Sequence, residues 1–223
     1  AYVPFGVLNA LQLTNKVDSL KDMGKQCGFL FYVPAWNTSK IDPVTGFANL
    51  FSSDDMKYSF VENSQRFFGK FDAIRYNADK DWFEFNINDY KVFAPKSDGT
   101  KQDWILCTYG TRIFTFRNKD KNSNWYSKEF GLTEAFKELF QKFGIDINGD
   151  LKESITQMND KKFFYGDETQ PGLCFLFKMM MQMRNSITNT ETDYLISPVV
   201  NNNGNVFDSR NGVEGLPCNA DAN

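Results

Sequence analysis

Residues 182–223 contain the four segments that decide how the fold is interpreted: QMRNSIT (182–188), TDYLISPV (192–199), GNVFDSR (204–210) and NADAN (219–223). The first places an arginine directly after an apolar helical pattern. The second holds a continuous apolar run, which is typical of a buried strand. The third follows three asparagines and predicts a turn and a short strand. Because the chain ends inside NADAN, we expect it to be a piece of a larger protein.

The composition predicts a packed domain. Of the 223 residues, 41% are apolar and 16% aromatic, including 23 Phe, which is enough to bury a substantial core. The net charge is −3, whereas free-standing nucleic-acid binders are usually basic. Any contact with nucleic acid must therefore come from a local patch. The sequence has no histidine, which excludes Ser–His and Cys–His nucleophiles and histidine metal sites.

The four cysteines, Cys27, Cys107, Cys174 and Cys218, show no CxxC spacing, which argues against a zinc ribbon. We find no signal peptide and no apolar run long enough to cross a membrane. The sequence therefore predicts free, reduced thiols in a cytoplasmic protein without a membrane association.

The first part of the chain predicts short elements followed by a loop. Strands are predicted at 10–14 and 28–33, with a helix at 15–23 between them. Residues 38–47 are rich in turn formers and contain Lys40 as their one cation. Two interpretations of this loop stay open, a structured surface loop or a loop that places Lys40 against a phosphate.

The middle of the chain predicts a largely antiparallel sheet. A helix at 63–71 precedes the strands, which are predicted at 73–76, 82–87, 90–93, 104–109 and 112–117. WFEFNI (82–87) alternates apolar and polar residues after its first position, the period of a half-buried strand. The last two strands are expected to form a hairpin with Gly110 at its turn. The most basic strip comprises Arg112, Arg117, Lys119 and Lys121, and we interpret it as solvated charge.

Three helices are predicted in the second half. Thr133 is expected to cap a helix that runs to Phe143 and buries one face. Asp150, with Glu153 completing a capping box, begins the next helix. After a loop at 166–171, an apolar, Met-rich helix completes an α+β fold, in which several helices pack on the antiparallel sheet.

Arg184 has two interpretations. An arginine near the end of a helix is favoured by the helix dipole, which needs no further function. Here, however, the arginine follows a buried face and is joined by the small polar residues Asn185 and Ser186. That combination is compatible with a phosphate-facing site, since a guanidinium binds phosphate through two parallel hydrogen bonds.

Eight segments, taken in order, resemble one family: GVLNALQLT (6–14), MGKQCGFLFYVPA (23–35), TSKIDPVTGF (38–47), YGTR and FRN (within 109–118), QMRNSIT, DYLISPV (193–199), FDSR (207–210) and NADAN. Together they closely resemble the C-terminal region of the type V-A CRISPR effector nucleases, the Cpf family. The resemblance spans almost the whole chain. It implies that residues 1–218 form a Nuc domain and that 219–223 begin the third RuvC motif.

The resemblance also implies the site residues. Arg184 matches the arginine of the Nuc domain that is needed for cutting the target strand, and Ser186 and Asp193 match polar residues clustered with it. Asp221 matches the third RuvC carboxylate, a Mg²⁺ ligand. Many family members begin that motif with DADAN, whereas this chain has Asn219, so the metal role falls on Asp221 alone. The loop at 165–171 is longer than the family pattern implies.

The function implied is that of a monomeric domain within an RNA-guided DNA endonuclease. Its partners would be the target DNA strand, the guide RNA bound by the rest of the effector, and the other RuvC segments. One carboxylate cannot hold the two Mg²⁺ ions of a RuvC site, so we expect the chain alone to be inactive and to hold no cofactor. Two alternatives stay open: a nuclease built from Asp193, Asp208 and Glu191, and a structural lobe that docks partners.

Overall fold

A computed structural model of the chain describes residues 42, 44–47, 60–91, 101–117, 125–187, 190 and 192–211, all within one of two compact units. The helices of this part of the chain are α1 (Val61–Phe68), α2 (Leu132–Lys142), α3 (Leu151–Gln157), α4 (Lys161–Tyr165) and α5 (Leu173–Met180). Its strands are β1 (Ala73–Asn77), β2 (Trp82–Lys91), β3 (Lys101–Cys107), β4 (Thr111–Arg117), β5 (Trp125–Gly131), β6 (Arg184–Ser186), β7 (Asp193–Val200) and β8 (Val206–Asp208). The predicted α+β class is confirmed, and the elements predicted at 10–14, 15–23 and 28–33 lie outside the described residues.

Strand β7 pairs with three other strands of the main sheet, β3, β6 and β8. The strand order is β1-β2-β3-β7-β6, with β8 paired to β7, and every pairing is antiparallel. All but the two end residues of β7 are buried, as the apolar run in the sequence predicts. The strand continues through Pro198 to Val200. The pairing of β7 with β3 is short and places Leu106 opposite Val199.

The predicted hairpin around Gly110 is wrong. Strand β3 pairs with β2 and β7, while β4 pairs along its whole length with β5, from Thr111 opposite Gly131 to Arg117 opposite Trp125. Strand β5 was not predicted because it is largely exposed and so lacks the apolar alternation that marks a buried strand. Gly110 has a φ of 78° and redirects the chain between the two sheets.

The core is built from phenylalanines. The ring of Phe177 on α5 packs edge to face against the rings of Phe67, Phe71 and Phe85, with centroids 5.3 to 5.6 Å apart. Helix α2 adds the buried side chains that its helical spacing predicts, namely Phe136, Leu139 and Phe140. The helices therefore cover one face of the sheet with aromatic side chains, which explains the high Phe content.

Glu84 corrects the prediction that the polar positions of β2 face solvent. Its side chain is 5% exposed, and its carboxylate accepts hydrogen bonds from Trp82 Nε1, Asn77 Nδ2 and Arg75 Nε at 3.0, 2.7 and 2.8 Å. Burial alone would raise the pKa of Glu84, but these three donors together outweigh it and hold the pKa below its usual value. The carboxylate therefore fastens β1 to β2.

Arg112 corrects the prediction of a solvated basic strip. It is fully buried, and its guanidinium donates to the carbonyl oxygens of Tyr109, Thr111 and Met180 at 3.1, 3.0 and 3.3 Å. Burial lowers the pKa of Arg112 to about 10. Because Met180 ends α5, the cation meets the negative end of a helix dipole. The side chain of Arg117 and the lysines at 119 and 121 lie outside the described residues.

Of the two capping residues that the sequence predicts, Asp150 and Thr133, the first caps its helix and the second does not. Asp150 caps α3 as predicted, since its carboxylate accepts from the backbone N–H of Glu153 at 3.0 Å. Thr133 does not cap α2, whose N-cap is Gly131. Its hydroxyl donates instead to the carbonyl of Thr108 at 3.0 Å. This nearby acceptor competes with the helix start for the Thr133 hydroxyl. The hydroxyl therefore ties the start of α2 to the end of β3.

Cys107 and Cys174 are buried free thiols. Burial raises the pKa of the Cys107 thiol to about 12, so it carries no thiolate at neutral pH. This agrees with the predicted free thiols for these two positions. Cys27 and Cys218 lie outside the described residues.

Candidate functional site

Arg184 and Asp193 form a two-pronged ion pair between neighbouring strands. Arg184 Nε donates to Asp193 Oδ1 at 3.0 Å, and Nη2 donates to Oδ2 at 2.9 Å. The arginine side chain is 39% exposed, whereas that of the aspartate is 14% exposed. The carboxylate therefore fixes the plane of the guanidinium through Nε and Nη2, while the arginine side chain stays partly exposed, as a contact with an external phosphate requires.

Two amide side chains, the buried Asn185 and the half-buried Gln182, hold the segment on either side of Arg184. Asn185 is fully buried, accepts from the backbone N–H of Ile113 at 2.9 Å and donates to Met183 O at 3.0 Å. Gln182 Nε2 donates to the carbonyls of Ile113 and Arg184 at 2.8 and 3.1 Å. Because the N–H and the carbonyl of Ile113 both form hydrogen bonds with these amides, the segment around β6 is fixed to the β4–β5 hairpin. We call these four hydrogen bonds the amide clamp.

Ser186 and Asp193 complete the arrangement around Arg184. Ser186 lies directly opposite Asp193, and Arg184 lies opposite Leu195, in the β6–β7 pair. Alternate residues of a strand share a face, so Arg184 and Ser186 lie on the face opposite to the buried Asn185. The sequence-predicted residues Arg184, Ser186 and Asp193 are thus brought together. Since α5 ends at Met180 and Arg184 opens β6, the helix-dipole interpretation of this arginine is wrong.

A second arginine–carboxylate pair lies at the next strand. Asp208 on β8 is 5% exposed, and Arg210 donates to it through Nε at 3.0 Å and through Nη2 at 2.7 Å. The hydrogen bonds to Asp208 raise the pKa of Arg210, which therefore stays protonated. The guanidinium also lies over the ring of Tyr194 at 4.5 Å. Asp208 and Arg210, two residues apart in the sequence, thus pair with one another.

The described carboxylates near Arg184 are committed to arginines. Asp193 and Asp208 each receive two-pronged hydrogen bonds, so a metal ion would have to displace a guanidinium from either. Among the described residues, no three carboxylate or cysteine side chains are grouped to hold a metal. Lys40, Glu191 and Asp221 lie outside the described residues.

Sequence reasoning did not find Gln182, Asn185 or Arg112 as parts of this site. Asn185 was interpreted only as a polar neighbour of Arg184, Gln182 was given no role, and Arg112 was interpreted as surface charge. Their partners lie on other strands, up to 72 residues away in sequence, and no local spacing reports such a contact. The one available signal was the presence of two amides in an otherwise apolar stretch, because buried polar groups need partners.

Among the described residues, none of the helices combines the length and the apolar character that spanning a membrane demands. Residues 41–211 match the model of a family described as "Nuclease domain" (NUC), and this match covers most of the chain. It includes the ion pair, the amide clamp and every strand of the main sheet. The chain therefore belongs to the NUC family of nuclease domains, which gives it a nuclease-related role.

Proposed function

We propose that this chain is the Nuc domain of a type V-A CRISPR effector of the Cpf family. In this proposal residues 1–218 form the domain and residues 219–223 begin the third RuvC motif. The domain positions the target DNA strand for hydrolysis at the RuvC centre. The observation that carries the proposal is the Arg184–Asp193 pair, a solvent-accessible guanidinium held by a carboxylate at 2.9 and 3.0 Å.

The chemistry of Arg184 fits positioning better than proton transfer. A guanidinium stays protonated in proteins and cannot serve as a general base. It binds phosphate oxygens with fixed geometry, and holding a strand in register for a reaction elsewhere lowers the entropic part of the barrier. Asp193 and the amide clamp limit the positions that the arginine can take. Ser186, which is exposed on the same face, supplies a hydroxyl for a further phosphate contact.

The remaining parts of the proposal concern groups outside the described residues. Mg²⁺ would supply the activated water and stabilise the leaving oxygen at the RuvC centre, with Asp221 as one ligand. Lys40 would contact a phosphate of the same strand. Guide RNA, bound by the rest of the effector, would read the sequence by base pairing. The protein would act as a monomer in the prokaryotic cytoplasm.

The proposal is tested by measuring the cleavage of each DNA strand in the full effector that contains this chain. We expect Arg184→Ala to slow target-strand cleavage on the order of 100-fold, because misplacing a reacting group costs about that much. Non-target cleavage should change less than threefold. Arg66→Ala is the matched control, since Arg66 is exposed on α1 and bonds to Asn63. Equal slowing of both strands by Arg184→Ala would contradict a positioning role.

The two alternatives predict different results with the 223-residue chain. If the domain were itself a nuclease, the chain would cut single-stranded DNA with Mg²⁺ or Mn²⁺, and Arg184→Ala would abolish the cutting. If it were a partner-docking lobe, any DNA binding would be weak and insensitive to salt, whereas phosphate contacts give a steep salt dependence. The engagement of Asp193 and Asp208 by arginines argues against the first alternative.

A further inference from the structure

One face of the β4–β5 hairpin carries a row of aromatic side chains. Phe116 lies opposite Tyr126 and Phe114 lies opposite Lys128 in the hairpin register. Because alternate residues share a face, Phe130 belongs to the same face. The row therefore combines four aromatic rings and one exposed cation, besides the buried Arg112 opposite Phe130, on a face that neither the ion pair nor the amide clamp uses.

The outermost ring of this row is exposed and well supported. Tyr126 is 52% exposed, and its ring stacks on Phe116 with centroids 5.4 Å apart and planes 20° apart. Phe116 in turn packs edge to face on Phe114 at 4.7 Å, and Phe114 packs on Phe175 of α5 at 5.0 Å. The chain of contacts reaches the core helix, so Tyr126 offers a flat face that is already ordered.

The loop at 165–171 forms a second wall facing the aromatic row. Asp167 accepts hydrogen bonds from the backbone and hydroxyl of Thr169 at 2.8 and 2.5 Å. Gly166 has a φ of 77°, and a side chain there would meet Gln170 O at 2.5 Å. The loop is therefore closely packed on itself, and its shape is set before any ligand arrives.

The two walls enclose a groove with a volume of about 320 Å³, lined by Phe116, Tyr126, Lys128, Phe130, Pro171 and Phe175 among others. Such a volume lies within the range of about 300–1,000 Å³ typical of small-ligand sites. Lys128 Nζ lies 4.9 Å from the centre of the Phe130 ring, and in the described part of the chain it forms no ion pair. The groove thus joins apolar ring faces to one available ammonium group.

Charge determines which occupant fits. The loop wall carries Asp167, which Lys142 contacts at 3.1 Å, and the exposed Glu168. These carboxylates repel a phosphate from the loop side, while Lys128 attracts one on the hairpin side. A nucleotide would therefore enter with its phosphate at Lys128 and its base turned inward onto Tyr126. Stacking combined with a cation is the usual means of binding single strands without reading their sequence.

We propose that this groove binds one base of a DNA single strand by stacking on Tyr126, with the adjoining phosphate held by Lys128. The inference rests on the proposed function and names a second contact for the same strand. Strand β4 links the two places, since Ile113 is held by the amide clamp and Phe116 follows three residues later on the opposite face of the same strand.

The test measures the binding of a fluorescent oligodeoxynucleotide to the full 223-residue chain by anisotropy. We expect Tyr126→Ala to weaken binding roughly fivefold or more, the usual effect of removing a stacked ring. Tyr126→Phe, which keeps the ring, should bind within twofold of the unchanged chain. Trp125→Ala is the matched control, because Trp125 is 66% exposed on the opposite face of β5. An abasic oligonucleotide should bind equally to the unchanged chain and to Tyr126→Ala.

A second measurement covers the phosphate. A plot of the logarithm of the association constant against the logarithm of the salt concentration falls with a negative slope. Lys128→Gln should make this slope less steep by about 0.7, the value for one phosphate contact on a single strand. Equal binding of the oligonucleotide by Tyr126→Ala and Trp125→Ala would overturn the groove while leaving Arg184 as the DNA contact. Tyr126-dependent capture of an apolar peptide, without such an effect on DNA, would also overturn it. Complete lack of DNA binding by the unchanged chain would count against the groove and the proposed function together.

Discussion

Asn185 accepts a hydrogen bond from the backbone N–H of Ile113 at 2.9 Å, across 72 residues of sequence. Both residues are buried, with exposures of 0% and 5%. Gln182 engages the carbonyl of the same Ile113 from the other side of Arg184. The arginine therefore sits between two side chains that bind one residue of the hairpin, and its position depends on β4 as much as on its own strand.

Replacing Asn185 with Ala should cost about 1–3 kcal/mol of unfolding free energy, the usual cost of one unsatisfied buried group. The substitution leaves the buried N–H of Ile113 without its partner, whereas the carbonyl of Met183 keeps the hydrogen bond from the backbone N–H of Ile196 at 3.0 Å. Urea denaturation measures the loss. Asn63→Ala on α1 is the control, because the side chain of Asn63 accepts a solvent-exposed hydrogen bond from Arg66, and it should change stability by about 0.5 kcal/mol or less. If Asn185→Ala destabilised the chain as little as the control does, the amide clamp would not hold β6 in place.

Arg184→Ala should affect stability little. The arginine side chain is 39% exposed, and ion pairs open to solvent contribute about 0–1 kcal/mol. We expect a coupling energy of about 1 kcal/mol or less between Arg184→Ala and Asp193→Ala in a double-mutant cycle based on urea unfolding. A coupling well above that value would mean that the pair is primarily structural, and effects of Arg184→Ala on cleavage would then need a folding explanation.

Glu84 should make the fold sensitive to acid. Its pKa in the folded state is lower than the ordinary value of 4.5. The carboxylate therefore stabilises the fold at pH values above 4.5, and this stabilisation is lost as the pH falls through the lower, folded-state pKa. Glu84→Gln should lower stability at pH 7 by about 1–2 kcal/mol and flatten the decline between pH 5 and pH 3.

Urea unfolding at a series of pH values measures this effect. Glu138→Gln on the exposed face of α2 is the matched control, because it removes the same charge from an exposed position. The pH profile of this control should run parallel to that of the unchanged chain. Parallel profiles for Glu84→Gln and the unchanged chain would show that the buried carboxylate has an ordinary pKa.

Arg112→Lys should destabilise the domain by about 2 kcal/mol even though it keeps the charge. The guanidinium reaches three carbonyl oxygens on β4, on the preceding turn and at the end of α5. An ammonium group is compact and cannot span the same set of acceptors from a fixed plane. Thermal or urea unfolding checks this, with the exposed Arg66→Lys as control. Equal stability of both variants would mean that a buried charge alone is sufficient there.

Local pattern predicted the elements whose burial follows a regular period. The spacing of Phe136, Leu139 and Phe140 predicted α2, and the apolar run after Asp193 predicted β7. Strand β5 escaped notice because most of its residues face solvent. The prediction that β3 pairs with β4 was wrong. Strands that follow one another in sequence usually pair, whereas here β3 pairs with β7 instead.

The site was predictable in part. The sequence singled out Arg184 because it follows an apolar helical pattern, whereas Ser186 and Asp193 came from the family resemblance of short motifs, and the β6–β7 pairing brings the three together. The buried states of Arg112 and Glu84 were not predictable, because a charged residue becomes buried only where other elements supply its partners. The stacking of Tyr126 on Phe116 likewise depends on a register that no single segment encodes.

The position of β7 between β3 and β6 has a consequence for synthesis on the ribosome. At about 5–20 residues per second, the 72 residues between Ile113 and Asn185 take roughly 4 to 14 seconds to translate. Until β7 emerges, the nascent chain presents β3 as an edge whose eventual neighbour does not yet exist. Such an edge is a template for pairing with other chains. A ribosome that stalls before Asp193 would therefore leave a chain with its first strands formed and the sheet open to aggregation.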